Sequence, residues 1–273
     1  MFSGDKHKII IKLMSIGYSI LVLINIFALP ASAQINESDT TLFQFRASLT
    51  GNLQKGNVQI FTLRSKADIS VAPSRAFVFK TQNTLLHQTI FKRKADEDIF
   101  SRNFIYFRPS HSIYPFAIGF VATNFRRKIA FRYFAGTGVT WQIVRQPKHI
   151  LKLSAGIIYE SSAFKLNNFN IDKYDGATKI GLWRNTTWLF GKHDLFDRHL
   201  LFYYDFYWQP AFADKNNYRY QVDIGLEFPI WKGLAFNALY TYTHENVVIQ
   251  AIKPDDQILT FGLVYSLKVN HSK

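Results

Sequence analysis

Residues 218–230 read YRYQVDIGLEFPI, and the chain changes character at every step. Tyr218, Tyr220, Val222, Ile224, Leu226, Phe228 and Ile230 share one parity, while Arg219, Gln221, Asp223, Gly225 and Glu227 share the other. A strand sends successive side chains to opposite faces, so this segment carries one apolar face and one charged face. Such a pattern fits a soluble sandwich with its apolar face inward. It fits equally a membrane barrel with that face outward. The rest of the chain decides between them.

The alternation recurs along the chain. Phe43, Phe45, Ala47 and Leu49 oppose Gln44, Arg46 and Ser48; Phe61, Leu63, Ala67, Ile69 and Val71 oppose Thr62, Arg64, Lys66, Asp68 and Ser70. Residues 131–143, 151–160, 200–208 and 259–267 repeat it, whereas 76–86, 99–108 and 176–190 are strand-like with an ambiguous parity. No helical apolar period competes after the first 33 residues. The reading gives about twelve strands of roughly 9–16 residues, against about 5–6 for a globular strand and about 9–11 for a tilted membrane strand. Tyr159, Trp141, Tyr218 and Trp208 lie near strand ends on the apolar face, where an interfacial girdle would need them. The expected fold is therefore all-β: a single up-and-down antiparallel transmembrane β-barrel whose apolar face points outward.

Connection lengths agree. Alternate connections are the short turns APSR, PSHS, RQPKH, GKHD and WKG, which suit the periplasmic side. The other set includes LLHQTIFKRKADED (85–98), SSAFKLNNFNIDKYDG (161–176) and ENVVIQAIKPDD (245–256), expected as external loops, together with the shorter GNLQKGN and FRRK.

The N-terminus sets the compartment. A cationic start, MFSGDKHKIIIK, precedes an apolar run of 17 residues, LMSIGYSILVLINIFAL, and then PASAQ. Ala31 and Ala33 stand at the spacing of a signal-peptidase site, so cleavage is expected before Gln34. The expected organisation is a signal peptide over 1–33, a short periplasmic segment over 34–41 and one barrel over 42–273, in the bacterial outer membrane. With no cysteine in 273 residues, the exported fold must hold without disulfides.

Charge adds a partner question. The chain carries a formal +14 at pH 7. Nucleic-acid binding, the usual meaning of such a balance, is excluded by export. Lys92, Arg93 and Lys94, and again Arg126, Arg127 and Lys128, fall in connections assigned to the outside, where they would meet outer-membrane lipids and lipopolysaccharide phosphates. A solvated loop is the equal alternative. The lumen face carries both signs: Arg46, Arg64, Lys66, Arg132, Lys152 and Arg219 against Asp68, Glu160, Asp223 and Glu227. Buried charges must pair or stay wet, so the lumen is either an ion-paired core or a narrow path for anions or small solutes. Twelve strands fall between the filled eight and the open sixteen. A structural role in the envelope is the first reading, and a channel is the second.

An enzyme is the third class. The candidates are His193 with Asp194, Asp197, His199, His244 with Glu245, and Ser112 beside His111. No G-x-S-x-G elbow or H-E-x-x-H motif occurs, and no metal or cofactor motif accompanies them. No catalytic residue and no cofactor is expected.

Three stretches carry a resemblance: ASLTGNLQKGNVQIFTLRSKADI (47–69), RYFAGTGVTWQIVRQPKHILKLSAGIIYE (132–160) and KPDDQILTFGLVYSL (253–267). In this order the chain is similar to the salt-stress-induced outer-membrane protein family, whose barrel domain is of unknown function. The resemblance spans nearly all of the chain after residue 33. It implies an outer-membrane barrel in a stress-related setting, and no established substrate or catalytic residue. Thr260, Gly262, Tyr265 and Leu267 look like the assembly signal read by the barrel-insertion machinery, although many such barrels finish on a terminal Phe and this chain runs on through 268–273.

Overall fold

The computed structural model describes residues 35–39 and 41–271. The expected signal peptide, with Ala31, Ala33 and Gln34, lies outside the described residues. Twelve strands follow one another: β1 (Phe43–Gln54), β2 (Ile60–Val71), β3 (Phe77–Ile90), β4 (Arg93–Phe107), β5 (Ile113–Asn124) and β6 (Ile129–Arg145), then β7 (His149–Phe164), β8 (Lys179–Leu195), β9 (Leu200–Pro210), β10 (Tyr218–Trp231), β11 (Leu234–Glu245) and β12 (Asp255–Val269). Each strand pairs antiparallel with its sequence neighbours. β12 then returns to β1, running from Phe43 opposite Val269 to Gly51 opposite Phe261. The sheet is a closed barrel, as the alternation predicts, and closure removes both sheet edges.

The start of β1 and the end of β12 share one end of the barrel with the turns 72–76, 108–112, 146–148, 196–199 and 232–233. The opposite end carries 55–59, 91–92, 125–128, 165–178, 211–217 and 246–254. Two expected boundaries are corrected. Residues 85–98 are not a long loop: β3 and β4 extend through them and turn at Phe91 and Lys92, whose φ values of 48° and 62° suit a two-residue hairpin turn. The polar HQT and KADED runs alternate as well as any strand, and the hairpin tip holds them. GKHD likewise lies within β8, and the chain turns later, where Phe196, Asp197 and Arg198 all take positive φ.

The face assignment follows from burial. Along β10, Ile224, Leu226, Phe228 and Ile230 are exposed, while Arg219 is buried and Glu227 is 0% exposed. Elsewhere Leu49, Phe61, Val139, Trp141, Tyr159 and Leu263 are also exposed on the outside. A soluble protein rarely leaves so continuous an apolar surface to water. In lipid it is the solvated face. Ile224→Arg should therefore destabilise the assembled barrel by roughly 2–4 kcal/mol, the cost of a cation on the lipid face near mid-bilayer. Gln221→Arg, which enters the lumen beside Asp223, should cost much less. Urea titration of both variants folded into lipid vesicles checks this; equal losses would refute the outward-apolar assignment.

Two of the three segments of ambiguous parity, 99–108 and 176–190, have a common explanation. Phe104 and Tyr106 of β4, Tyr114, Phe116 and Ile118 of β5, Phe134 of β6, Ile158 of β7 and Trp188 of β8 are buried in one cluster inside the barrel. One side of the lumen is thus aromatic. There both faces of a strand are apolar, one toward lipid and one toward this cluster, and the alternation fades.

Candidate functional site

The barrel's chemistry lies in its lumen, where strand pleating sends the polar parity inward. Its centre is Glu160 on β7. This buried carboxylate accepts from Arg219 Nη2 at 2.5 Å and from Arg184 Nε at 3.2 Å, with Arg132 Nε at 3.6 Å. Ser162 Oγ donates to it at 3.1 Å. Arg132 also grips Glu245 with both terminal nitrogens, at 2.6 and 3.0 Å. Three guanidiniums and two carboxylates from β6, β7, β8, β10 and β11 are thus tied across the interior. A paired buried charge is tolerable where an isolated one is not.

A second group joins β1, β2 and β10. Arg46 bonds Glu227 and lies 3.8 Å from Asp68, which Lys66 Nζ also approaches at 3.8 Å. Asp223, half-buried beside them, accepts from Gln221 Nε2 at 3.2 Å. Arg64 differs from the other lumen arginines. It is buried and donates to Thr241 Oγ1 at 2.6 Å, and no carboxylate lies within ion-pair distance of it among the described residues.

A third group sits at the barrel end where β1 begins and β12 ends. Residues 35–39, expected as a short periplasmic segment, enter the lumen mouth, with a single 3-10 turn at Glu37–Asp39. Asn36 anchors the entry: its N–H donates to Gln44 Oε1 at 3.1 Å, and Gln44 Nε2 donates back to its carbonyl at 2.9 Å. Lys152 Nζ meets Glu37 Oε1 at 2.7 Å, Asn36 Oδ1 at 2.6 Å and Ser38 Oγ at 3.0 Å. Tyr114 donates to Glu37 at 2.8 Å, and Lys80 Nζ lies 3.5 Å away. Burial alone would raise the Glu37 carboxyl, but the charges of Lys152 and Lys80, with the Lys152 hydrogen bond, hold it well below the usual carboxylate range.

The opposite end is also covered. Phe169, in the loop 165–178, pairs with Ile249 in the loop 246–254, and Val247, Phe164, Ile171 and Ile252 pack around them. Arg126 and Arg127, expected to project outward, turn inward instead. Arg126 binds Asp96 at 2.8 Å and Asp256 at 2.5 Å, and Arg127 binds Asp256 at 3.1 Å. The carboxylates that draw them in belong to strand ends whose neighbours in space the sequence does not reveal. Lys92, Arg93 and Lys94 remain exposed on the β3–β4 hairpin.

Between the covers lie cavities. One of about 150 Å³ sits toward the loop end and includes Arg64, Arg102, Arg127 and Arg219 with Phe100, Phe120 and Phe134. A smaller one of about 50 Å³ sits against Glu37 and Lys152. Arg102 and Trp188 line both.

The other sequence candidates are scattered. His193 lies 3.2 Å from His149 through their Nδ1 atoms, Asp197 binds Lys148 at 2.8 Å, and His244 binds Asp255 at 2.8 Å. Asp194, His199, His111 and Ser112 sit in or beside the turns at the other end. Among the described residues no serine hydroxyl is hydrogen-bonded to a histidine, and no group of three or more metal-ligating side chains occurs. Of the assembly-signal residues, Thr260 is buried, Tyr265 is exposed and Leu267 is half-buried. Gly262 stands opposite Thr50 at the closing seam. Sequence reasoning missed Glu37, Lys80, Asp96, Arg102 and Arg184 as lumen charges, because they lie in the segment before β1, the supposed loop or strands of unclear parity.

A closed antiparallel barrel with an apolar exterior and a charged, partly aromatic interior is the architecture of a protein that crosses a bilayer with strands. The chain belongs to the family described as a protein of unknown function, DUF481, whose model matches residues 37–267. No curated protein matches it. Among solved structures it is similar to the translocator domain of the autotransporter NalP from Neisseria meningitidis, at 11% identity and a TM-score of 0.45, covering 96% of this chain and 97% of that one. It is similar also to the NanC porin, at 8% identity and a TM-score of 0.47, over 82% of this chain and 98% of that one. An outer membrane channel from Pseudomonas putida F1 has 8% identity and a TM-score of 0.45, over 86% and 100%.

Proposed function

We propose that this chain is a bacterial outer-membrane β-barrel with a lumen closed at rest, serving the envelope as a structural element without chemistry of its own. The observation that carries this reading is the seating of Glu37 on Lys152 inside the barrel, with a polar clamp on either side of it. A buried charge pair with satisfied partners belongs to a built contact rather than a loose tail. The apolar cover at the other end and the Glu160 cluster between them point the same way. The stress-related setting rests on the family resemblance in the sequence. Exposed Lys92, Arg93 and Lys94 would face anionic lipid headgroups, and the termini would lie in the periplasm.

A second reading, a narrow passage, is favoured by one observation: the two cavities share Arg102 and Trp188 in their linings. Planar-bilayer recording distinguishes them. The wild-type barrel should be silent at neutral pH. If Glu37→Gln produces discrete conductance steps, the passage reading replaces the structural one; steps in the wild type would refute closure at rest. The pH dependence has a defined sign. Because docking depresses the Glu37 carboxyl from its ordinary 4.5, docking is strongest above that value. It weakens as pH falls below 4.5 and is lost through the depressed value. Between pH ~5 and ~8 Glu37 should therefore impose no pH dependence on the baseline.

A further inference from the structure

We infer that the larger lumen cavity is a binding site for a small aromatic carboxylate. Arg64 supplies the first part of the argument. Its buried guanidinium, 7% exposed, has a threonine hydroxyl as its polar partner and faces the cavity with donor groups to spare. Every other arginine named on this wall is answered by a carboxylate: Arg126 and Arg127 by Asp256, Arg132 by Glu245, Arg219 by Glu160 and Arg102 by Asp205 at 3.6 Å. A buried cation without a counter-charge is costly, and an anion delivered to it recovers that cost.

Unsatisfied donors give the second part. Among the described residues, Arg127 Nη1, Arg219 Nη1 and Trp188 Nε1 are buried without a hydrogen-bond partner, and all three residues line this cavity. Arg127 and Arg64 are held on Thr243 and Thr241, two residues apart on the lumen face of β11, and both line this cavity. Three donors around one cavity ask for an acceptor-rich ligand. Asp98 Oδ1, also unpartnered here, offers a place for a ligand hydroxyl.

The wall sets the rest of the ligand. Phe120 stacks on Phe134 with ring centroids 4.4 Å apart and on Phe100 at 5.8 Å, and Arg219 lies over the Phe134 ring at 5.6 Å. A flat apolar body fits against such a wall by offset stacking. The volume, about 150 Å³, matches cavities that accept a single aromatic ring. Carboxylate on Arg64 and Arg127, ring on the phenylalanines, is the arrangement these groups favour together. Arg126, a third exposed where Arg127 is buried, marks the mouth.

Calorimetry on the full barrel refolded in detergent tests the site, using benzoate, acetate, benzyl alcohol and inorganic phosphate. Benzoate should bind saturably at one site, and acetate and benzyl alcohol should each bind at least about tenfold more weakly. Arg64→Gln should weaken benzoate by about tenfold or more. Lys66→Gln, on a different cavity, should leave it unchanged. Phe120→Leu should weaken benzoate while sparing acetate, which keeps the test decisive if Arg64→Gln does not fold. Folding is read from heat-modifiable gel migration. Absence of saturable benzoate binding, phosphate binding as tight as benzoate, or full binding by a folded Arg64→Gln protein would each overturn the inference. The outcome is independent of whether the barrel conducts.

Discussion

Glu160→Ala should give a barrel that assembles poorly and unfolds well before the wild type, with a loss of roughly 3–5 kcal/mol, the usual cost of stranding one side of a buried ion pair. The reason is the number of partners. Arg132, Arg184 and Arg219 all point at this one carboxylate, and Glu245 can answer only Arg132 directly. Removing Glu160 leaves Arg184 with backbone carbonyls and Asn217 but no charge opposite it. Glu160→Gln retains acceptor geometry and should fall between. Asp223→Asn should cost little, since Asp223 is half-buried and accepts only from Gln221 among the described residues. Urea titration of the three variants in lipid vesicles ranks them. If Glu160→Ala and Asp223→Asn lose the same amount, the cluster is not the structural centre of the lumen.

Closure should be equally sensitive at the seam. A Cβ at Gly262 would collide with the Leu49 carbonyl oxygen and the Thr50 Cα across the β12–β1 pairing, atoms of backbone that cannot swing aside. Gly262→Asp should therefore fail to close the barrel and leave exported, protease-sensitive protein without the heat-modifiable shift. Gly119→Ala is the control: a Cβ there meets nothing within 4 Å, and the strand should gain from a lost backbone freedom. Tyr265→Ala removes an exposed aromatic beside the Gly233 turn and should weaken assembly less than Gly262→Asp. A Gly262→Asp protein that migrates like the wild type would show that β12 tolerates separation from β1. It would also remove the basis for reading Gly262 as part of an assembly signal.

The alternation in YRYQVDIGLEFPI carries most of the fold by itself. A strand's period of two is local, and it survives in any environment that places different solvents on its two faces. That made β1, β2, β10 and β12 readable, together with the outward direction of Ile224 and the inward direction of Arg219 and Glu227. Strand length added the bilayer, and turn residues added most of the short connections, though not the turn at Phe91 and Lys92 or the one at 196–199. The same logic failed where the physics removed its contrast. On β4, β5 and β8 the inward face meets Phe104, Tyr106, Phe116 and Trp188 rather than water, so the pattern carries no sign of which face is which.

The sequence alone therefore determined the strand count and the parity of the lumen charges on the strands that alternate cleanly. Only the tertiary structure decided which charge answers which. Glu160 and Arg219 are 59 residues apart in the chain, and Arg46 and Glu227 are 181 apart, so nothing local links them. The same holds for Glu37, which reads as part of a polar linker but is bound inside the barrel mouth because Lys152, Lys80 and Tyr114 converge there. Arg64 shows the converse. Its inward direction was legible from parity, but its lack of a carboxylate partner was not. Parity is a property of one strand, whereas pairing depends on the curvature and register of all twelve.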